Sequence, residues 1–138
     1  MITLRTSQLD QLFALAIQAE PAECCGLIGG TADGRAENIY HLRNISSSPL
    51  VSYEAAPEEL FSAQRRMRER SEELLAIYHS HPRASDPAPS GTDVRLAFYP
   101  TATYLIIGLA RSKPSLRAFR ISEREQRWEE VEYKVLGE

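Results

Sequence analysis

The sequence predicts an α+β domain with a mixed, largely antiparallel β-sheet flanked by helices. Short apolar runs bounded by turn residues are interspersed with segments of helical periodicity. Asp33-Gly34 is a hairpin turn signal, and the segment 112–114 (Ser-Lys-Pro) is a second turn. With 138 residues the chain is long enough for one hydrophobic core. We therefore expect a single domain over residues 1–138.

Three helices are predicted from apolar spacing and from the residues at their ends. In the first, Ser7 and Asp10 resemble a capping box. In the second, Pro57 occupies the favoured first position, and in the third Ser90 is the N-cap. The predicted spans are 7–20, 57–72 and 91–98. The inward stripe of the second helix is expected to comprise Leu60, Phe61, Gln64 and Met67.

Short apolar or alternating runs predict the strands of the sheet. The third of them follows a short extended piece at 51–54; it is apolar and delivers two histidines at its end. Residues 82–89 form a proline-rich loop without regular structure. The predicted strands are 24–30, 37–42, 74–79, 103–110, 116–121 and 128–135.

Composition argues against several classes of function. The formal net charge of −3 gives no support to sequence-independent nucleic-acid binding. No apolar run reaches the length of a membrane span, and the N-terminal residues lack a signal-peptide pattern. Cys24 and Cys25 are neighbours that rarely bridge each other, so a reducing cytoplasm is expected. We interpret the two thiols as small buried hydrophobes, with a redox or metal pair as the alternative.

A zinc site is the strongest chemical prediction. His79 and His81 are two positions apart, so on a strand their side chains point to one face. Asp93 follows in the third helix. Three such ligands would leave the fourth tetrahedral position open, as in catalytic zinc sites. The alternative is that each histidine is a polar surface residue and that Asp93 is only the capping-box acid paired with Ser90.

A zinc hydrolase also needs a carboxylate that moves protons. Glu23 is the candidate, because it precedes the apolar run 24–28, where a charge is costly unless it is paired or used. The alternative interpretation is an exposed acid at a helix-to-strand junction, and the sequence does not decide between the two.

Together these segments resemble the JAMM (MPN+) zinc metallopeptidases. The resemblance lies in residues 21–30 (PAECCGLIGG), in His79-Ser80-His81-Pro82 and in Ser90-Gly91-Thr92-Asp93. The segment 53–57, ahead of the second helix, also fits. It implies the cytidine-deaminase-like MPN fold and a Zn²⁺ cofactor held by His79, His81 and Asp93. It also implies Glu23 as general base and then acid, and Ser90 as a donor to the developing oxyanion. Eleven residues separate His81 from Asp93, where the family pattern commonly has ten.

The resemblance implies hydrolysis of amide or isopeptide bonds after the C-terminal Gly-Gly of a ubiquitin-like protein. The short chain is most similar to stand-alone prokaryotic members, which are linked to ubiquitin-like sulfur carriers of the ThiS/MoaD type. Such a partner, or its conjugate, is therefore expected, with no nucleic acid and no membrane. An extended Gly-Gly tail could add as a strand beside the sheet.

Three other functions stay open at this stage. A non-catalytic MPN-type scaffold would share the fold, and a JAMM peptidase could act on unrelated peptides. A DNA-associated protein of the RadC-like branch is a further alternative, although the only basic cluster, 65–70, is interpreted as a solvated helix face. The aromatic residues Trp128 and Tyr133 could line a homodimer contact.

Overall fold

The structure is a computed structural model and describes residues 1–137. It confirms the predicted α+β class with a largely antiparallel sheet. None of the helices in this described part of the chain is both long and apolar enough to cross a membrane. In chain order the elements are β1 (Ile2–Arg5), α1 (Thr6–Ala19), β2 (Cys25–Gly30), β3 (Ala36–Leu42), α2 (Pro57–Glu69), β4 (Glu73–His81), α3 (Gly91–Arg95), β5 (Thr103–Gly108), β6 (Ser115–Ser122), β7 (Arg127–Val131) and β8 (Tyr133–Leu136).

Six strands form the main sheet in the order β3-β2-β4-β5-β6-β7. All neighbouring strands are antiparallel except β4 and β5, which are parallel. Parallel neighbours need a crossover connection, and here that connection contains the proline-rich loop and α3. This connection begins directly after His81, and α3 within it lies near the end of β4.

The sheet is covered on both faces, which explains why its central strands read as continuous apolar runs. All six residues of β2 are buried. On β4, Ile77 packs into one hydrophobic cluster, together with Met67 of α2. Its neighbours Ala76 and Tyr78 point the other way, into a second cluster that includes Leu12 of α1.

The start of α1 differs from the prediction. The helix begins at Thr6, and Arg5 is its N-cap. The backbone N–H of Arg5 donates to Oε1 of Gln8 at 2.8 Å. The predicted capping box of Ser7 and Asp10 is therefore wrong, because the glutamine that satisfies the cap lies three residues after Arg5 rather than after Ser7.

The inward stripe predicted for α2 is wrong at one position. Phe61 is 66% exposed, whereas Ala63 and Met67 are buried. The helix also ends three residues earlier than expected, and α3 ends at Arg95 rather than near residue 98. The prediction placed Phe61 inward because its side chain is large and apolar, but its position around the helix axis directs it toward solvent.

The arginines of the basic cluster 65–70 are all exposed, as predicted, but two of them also contact β3. The guanidinium groups of Arg66 and Arg70 lie 5.5 and 5.7 Å from the ring centroid of Tyr40. Arg70 also donates to the Tyr40 hydroxyl at 3.0 Å, and that hydroxyl donates to Glu72 at 2.5 Å. These two arginines therefore pack α2 against β3.

The C-terminal segment forms two strands where one was predicted. β7 completes the edge of the main sheet, whereas β8 pairs in parallel with β1, an unpredicted strand. Residues 51–54 form no strand, although Ala55 makes an isolated bridge to Asn44. Trp128 is 42% exposed and packs edge-on against Phe119. A homodimer contact through Trp128 and Tyr133 stays a prediction.

Gly108 is expected to be essential for the packing of the proline-rich loop. A Cβ at this position would lie 2.6 Å from the carbonyl oxygen of Ala84 and 2.8 Å from Cδ of Pro87. Gly108→Ala should therefore lower the free energy of unfolding by about 1–3 kcal/mol, measured by urea denaturation. Gly137→Ala is the control, since nothing lies within 4 Å of a Cβ there. Equal stability of the two variants would refute the packing argument.

Candidate active site

Three polar side chains converge at the end of β4. His79 and His81 project from the same face of the strand, as their spacing predicts. Their Nε2 atoms are 3.2 Å apart. Oδ2 of Asp93, from the first turn of α3, lies 3.1 Å from Nε2 of His79 and 3.0 Å from Nε2 of His81. The crossover connection therefore brings residues from separate elements into one cluster.

The capping interpretation of Asp93 holds as well. Oδ2 of Asp93 accepts from the backbone N–H of Ser90 at 2.9 Å, and Oγ of Ser90 accepts from the backbone N–H of Asp93 at 3.0 Å. This reciprocal pair fixes the carboxylate against the helix start. Capping and convergence on the histidines are thus features of one and the same side chain.

The additional residue between His81 and Asp93 does not separate them. The loop is tied to the end of β4 and to the segment just after β5, because the backbone N–H of Ala84 donates to the carbonyl of His81 and that of Ala110 donates to the carbonyl of Ala84, each at 3.0 Å. Pro87 is buried beside Gly108. A surface loop absorbs one more residue at little entropic cost when its ends stay anchored.

Glu23 lies beside this cluster, just before β2. It is only 4% exposed, so its interpretation as an exposed junction acid is wrong. Its Oε1 has no hydrogen-bond partner among residues 1–137. Ligand atoms of Glu23, His79 and His81 lie within 4.8 Å of one another, which makes these residues a candidate metal-binding group.

Backbone contacts fix Glu23 in this place. Its N–H donates to the carbonyl of Pro49 at 2.8 Å, and its carbonyl accepts from Nδ2 of Asn44 at 3.0 Å. The next residue, Cys24, donates its N–H to Oγ of buried Ser80 at 2.8 Å. Because Ser80 stands between the two histidines, it couples the chain at Glu23 directly to the histidine strand.

Burial and neighbouring charges shift the ionisation of the cluster. Burial raises the pKa of Glu23 to about 7; His81 opposes this rise and the Asp93 charge reinforces it. Burial works against ionisation of Asp93, yet the charge of His79 and hydrogen bonds from both histidines hold its pKa well below the usual range. The hydrogen bond to Asp93 raises the pKa of His81 against the effect of burial.

The vicinal thiols lie in surroundings that disfavour the thiolate form. Cys24 and Cys25 are both buried, and neither is in a disulfide. Burial raises the pKa of Cys24 to about 11 and that of Cys25 to about 12. Both thiols therefore stay protonated near neutral pH, which favours their interpretation as small hydrophobes over a redox or metal pair.

Comparison with known proteins places the chain in a family. The profile of the family described as "Prokaryotic homologs of the JAB domain" matches residues 5–122. The chain belongs to this family. This match confirms the JAMM/MPN resemblance, which was drawn from the motif that contains Glu23 and the motif that contains His79 and His81.

Relatives of this JAB-domain protein include named peptidases. It is 40% identical over 87 residues to the desampylase of Haloferax volcanii, a match that covers 62% of each chain, less than two thirds of that relative's length. It is 31% identical over 123 residues to the CysO-cysteine peptidase of Mycobacterium tuberculosis, covering 88% of this chain and 83% of that protein.

A solved structure has the same fold as this chain. The solution structure of protein DSY2949 from Desulfitobacterium hafniense superposes with a TM-score of 0.86 at 39% sequence identity. The match covers 100% of this chain and 94% of that one. The architecture of β-sheet and helices around the cluster is therefore shared with a known structure over its whole length.

Proposed function

We propose that this protein is a zinc metallopeptidase that hydrolyses an amide or isopeptide bond after the C-terminal Gly-Gly of a ubiquitin-like protein of the sulfur-carrier type. One observation carries the proposal: three potential ligand atoms meet within 3.2 Å of one another beside the buried carboxyl group of Glu23, whose Oε1 has no partner among residues 1–137. Membership of the JAB-domain family supports the same reading.

His79, His81 and Asp93 would hold the ion. Zinc bonds of about 2.0–2.1 Å in tetrahedral geometry place neighbouring ligand atoms roughly 3.3 Å apart, which the three distances approach. Two imidazoles and one carboxylate are also a donor set that suits zinc. When bound, zinc supplies Lewis-acid chemistry: it polarises the scissile carbonyl and makes a water molecule easier to deprotonate.

Glu23 would take the proton of the attacking water and return it to the departing amine. Its carboxylate is buried, adjoins the two histidines and has a free Oε1 in the described chain. A carboxylate engaged in a salt bridge would be less available for proton transfer. The backbone contacts of Glu23 hold it in place without using its carboxylate oxygens.

Ser90 would stabilise the oxyanion that develops on the substrate. Its Oγ already accepts the N–H of Asp93. A hydroxyl that accepts one hydrogen bond can still donate its own proton elsewhere. Because the cap fixes Oγ next to the Asp93 carboxylate, the donor is preorganised before substrate arrives, which is the condition for efficient transition-state stabilisation.

The names of the relatives support the substrate class. One relative is named for the CysO-cysteine bond that it cleaves and another as a desampylase. For the present chain we propose a substrate of the same class, a protein that ends in a flexible Gly-Gly tail joined to an amine. A scaffold without activity would not need a buried Glu23 carboxylate whose Oε1 has no hydrogen-bond partner among residues 1–137, because such burial is costly unless it serves chemistry.

The test uses a ubiquitin-like sulfur carrier fused through its C-terminal Gly-Gly to a short peptide. Incubation with the zinc-loaded protein should release the intact carrier ending in Gly-Gly, detected by mass spectrometry. A fusion with Ala-Ala at the junction is the matched control and should be cleaved at least 10-fold more slowly. Binding without cleavage would support a scaffold, and equal cleavage of unrelated peptides would support a general peptidase; either outcome overturns the proposal.

A further inference from the structure

The second ring nitrogen of His79 has no hydrogen-bond partner among residues 1–137. A ligating histidine almost always donates its other ring N–H to a carboxylate, a carbonyl or a water, which fixes the ring's orientation. His79 is fully buried, and its Nδ1 finds no hydrogen-bond partner within the described chain. Within residues 1–137, therefore, no hydrogen bond to Nδ1 orients this imidazole.

An aromatic ring contacts this imidazole instead. The rings of Tyr53 and His79 stack with their centroids 4.6 Å apart and their planes 28° from parallel. We infer that Tyr53 is a positioning residue, whose ring holds the His79 imidazole in the orientation that presents Nε2 to the metal. This inference rests on the proposed zinc site and assigns no contact between Tyr53 and substrate.

The stack should be stronger when a cation is bound. The face of a tyrosine ring is electron-rich and attracts positive charge. An imidazole that shares its lone pair with a divalent cation becomes more positive, so its attraction to the Tyr53 face increases. The contact therefore favours the loaded state of His79 over the free state, which is the condition for an effect on metal affinity.

The loop that carries Tyr53 is held on both sides of it. Asn44 donates through Nδ2 to the carbonyl of Ser52 at 3.1 Å and accepts through Oδ1 from the backbone N–H of Glu54 at 3.0 Å. The same Nδ2 group donates to the carbonyl of Glu23. One asparagine thus fixes the backbone next to Tyr53 and next to Glu23.

The test compares two substitutions of Tyr53. Tyr53→Leu keeps an apolar side chain but removes the ring, and we expect its zinc dissociation constant to rise 10- to 100-fold, the usual cost of losing an outer contact of a ligand. Tyr53→Phe keeps the ring and should bind zinc within about 3-fold of the wild type. Affinity is measured by competition with a chromophoric chelator, without any substrate.

Two controls separate positioning from general stability. Val51→Ala changes a 66% exposed side chain of the same loop and should leave zinc affinity unchanged. Urea denaturation in the presence of EDTA measures each zinc-free variant. A purely structural role would lower the stability of zinc-free Tyr53→Leu and leave its zinc affinity at the wild-type value.

Each outcome decides the question. Wild-type affinity in Tyr53→Leu, or an equal loss in Tyr53→Phe and Tyr53→Leu, overturns the inference, because then the ring face does not position His79. If the wild-type protein itself binds no zinc, the proposed function fails at its first step. The absorption bands of the Co²⁺-substituted proteins give a second readout: they should change in Tyr53→Leu and be retained in Tyr53→Phe.

Discussion

Glu23→Gln is expected to lower the turnover number for a carrier–peptide fusion by about 10²- to 10⁴-fold, the usual contribution of a general base. Glutamine has nearly the same shape but cannot accept the proton of a water molecule. Zinc should stay bound, because the three proposed ligands His79, His81 and Asp93 are unchanged in this variant. Turnover is measured by mass spectrometry of the released carrier, and zinc by elemental analysis.

Glu20→Gln is the matched control, because Glu20 is an exposed acid three residues before Glu23. Its turnover and zinc content should equal those of the wild type. The zinc-free Glu23→Gln protein should be at least as stable as the wild type, because a neutral amide replaces a buried carboxylate that lacks a partner on Oε1. A turnover within a few-fold of the wild type would exclude Glu23 as the base.

The central part of the candidate site was predictable because its signals are local. On a strand, the period of two fixes the relative directions of His79 and His81 whatever the rest of the fold does. The capping residues Ser90 and Asp93 are likewise read from a spacing of three. Neither pattern requires knowledge of distant contacts, and the structure shows both.

The supporting contacts were not predictable, since they join distant parts of the chain. Oγ of Ser80 and the N–H of Cys24 are 56 positions apart in sequence. The stack of Tyr53 on His79 joins a loop without regular structure to a strand end. Side-chain type and periodicity carry no information about such pairs. The family pattern includes the segment that begins at Tyr53, and this was the only signal that could have directed attention to it.

The strand pairing of the termini failed for a related reason. The predicted strand 128–135 contains enough β-favouring residues for one continuous strand, yet it divides at residue 132. Its second half leaves the main sheet because β1 offers a partner on the α1 side of the molecule. β1 comprises only four residues, too few to show a period. The sequence pattern therefore predicts that residues 128–135 are extended, but not which strand each half pairs with.

Removal of one ligand should abolish stoichiometric zinc binding. The wild type is expected to hold about one zinc per chain after dialysis. Asp93→Asn should lose it, because a neutral amide is a much poorer ligand than a carboxylate. The asparagine oxygen can still accept from the backbone N–H of Ser90, so the helix cap and the fold should persist. His79→Ala should also lose the metal, and zinc content is measured by elemental analysis.

Thermal unfolding then links metal binding to stability. A ligand that binds only the folded state at 100 times its dissociation constant contributes about 2.7 kcal/mol. Added zinc should therefore raise the Tm of the wild type and leave that of Asp93→Asn unchanged.

His41→Ala is the control, because the chain's remaining histidine is exposed and contacts Tyr78 instead of the cluster. Equal zinc content in Asp93→Asn and in the wild type would remove Asp93 from the ligand set. Loss of zinc from His41→Ala as well would show that the metal is bound elsewhere, since no contact joins His41 to the converging atoms of His79, His81 and Asp93 in the described chain.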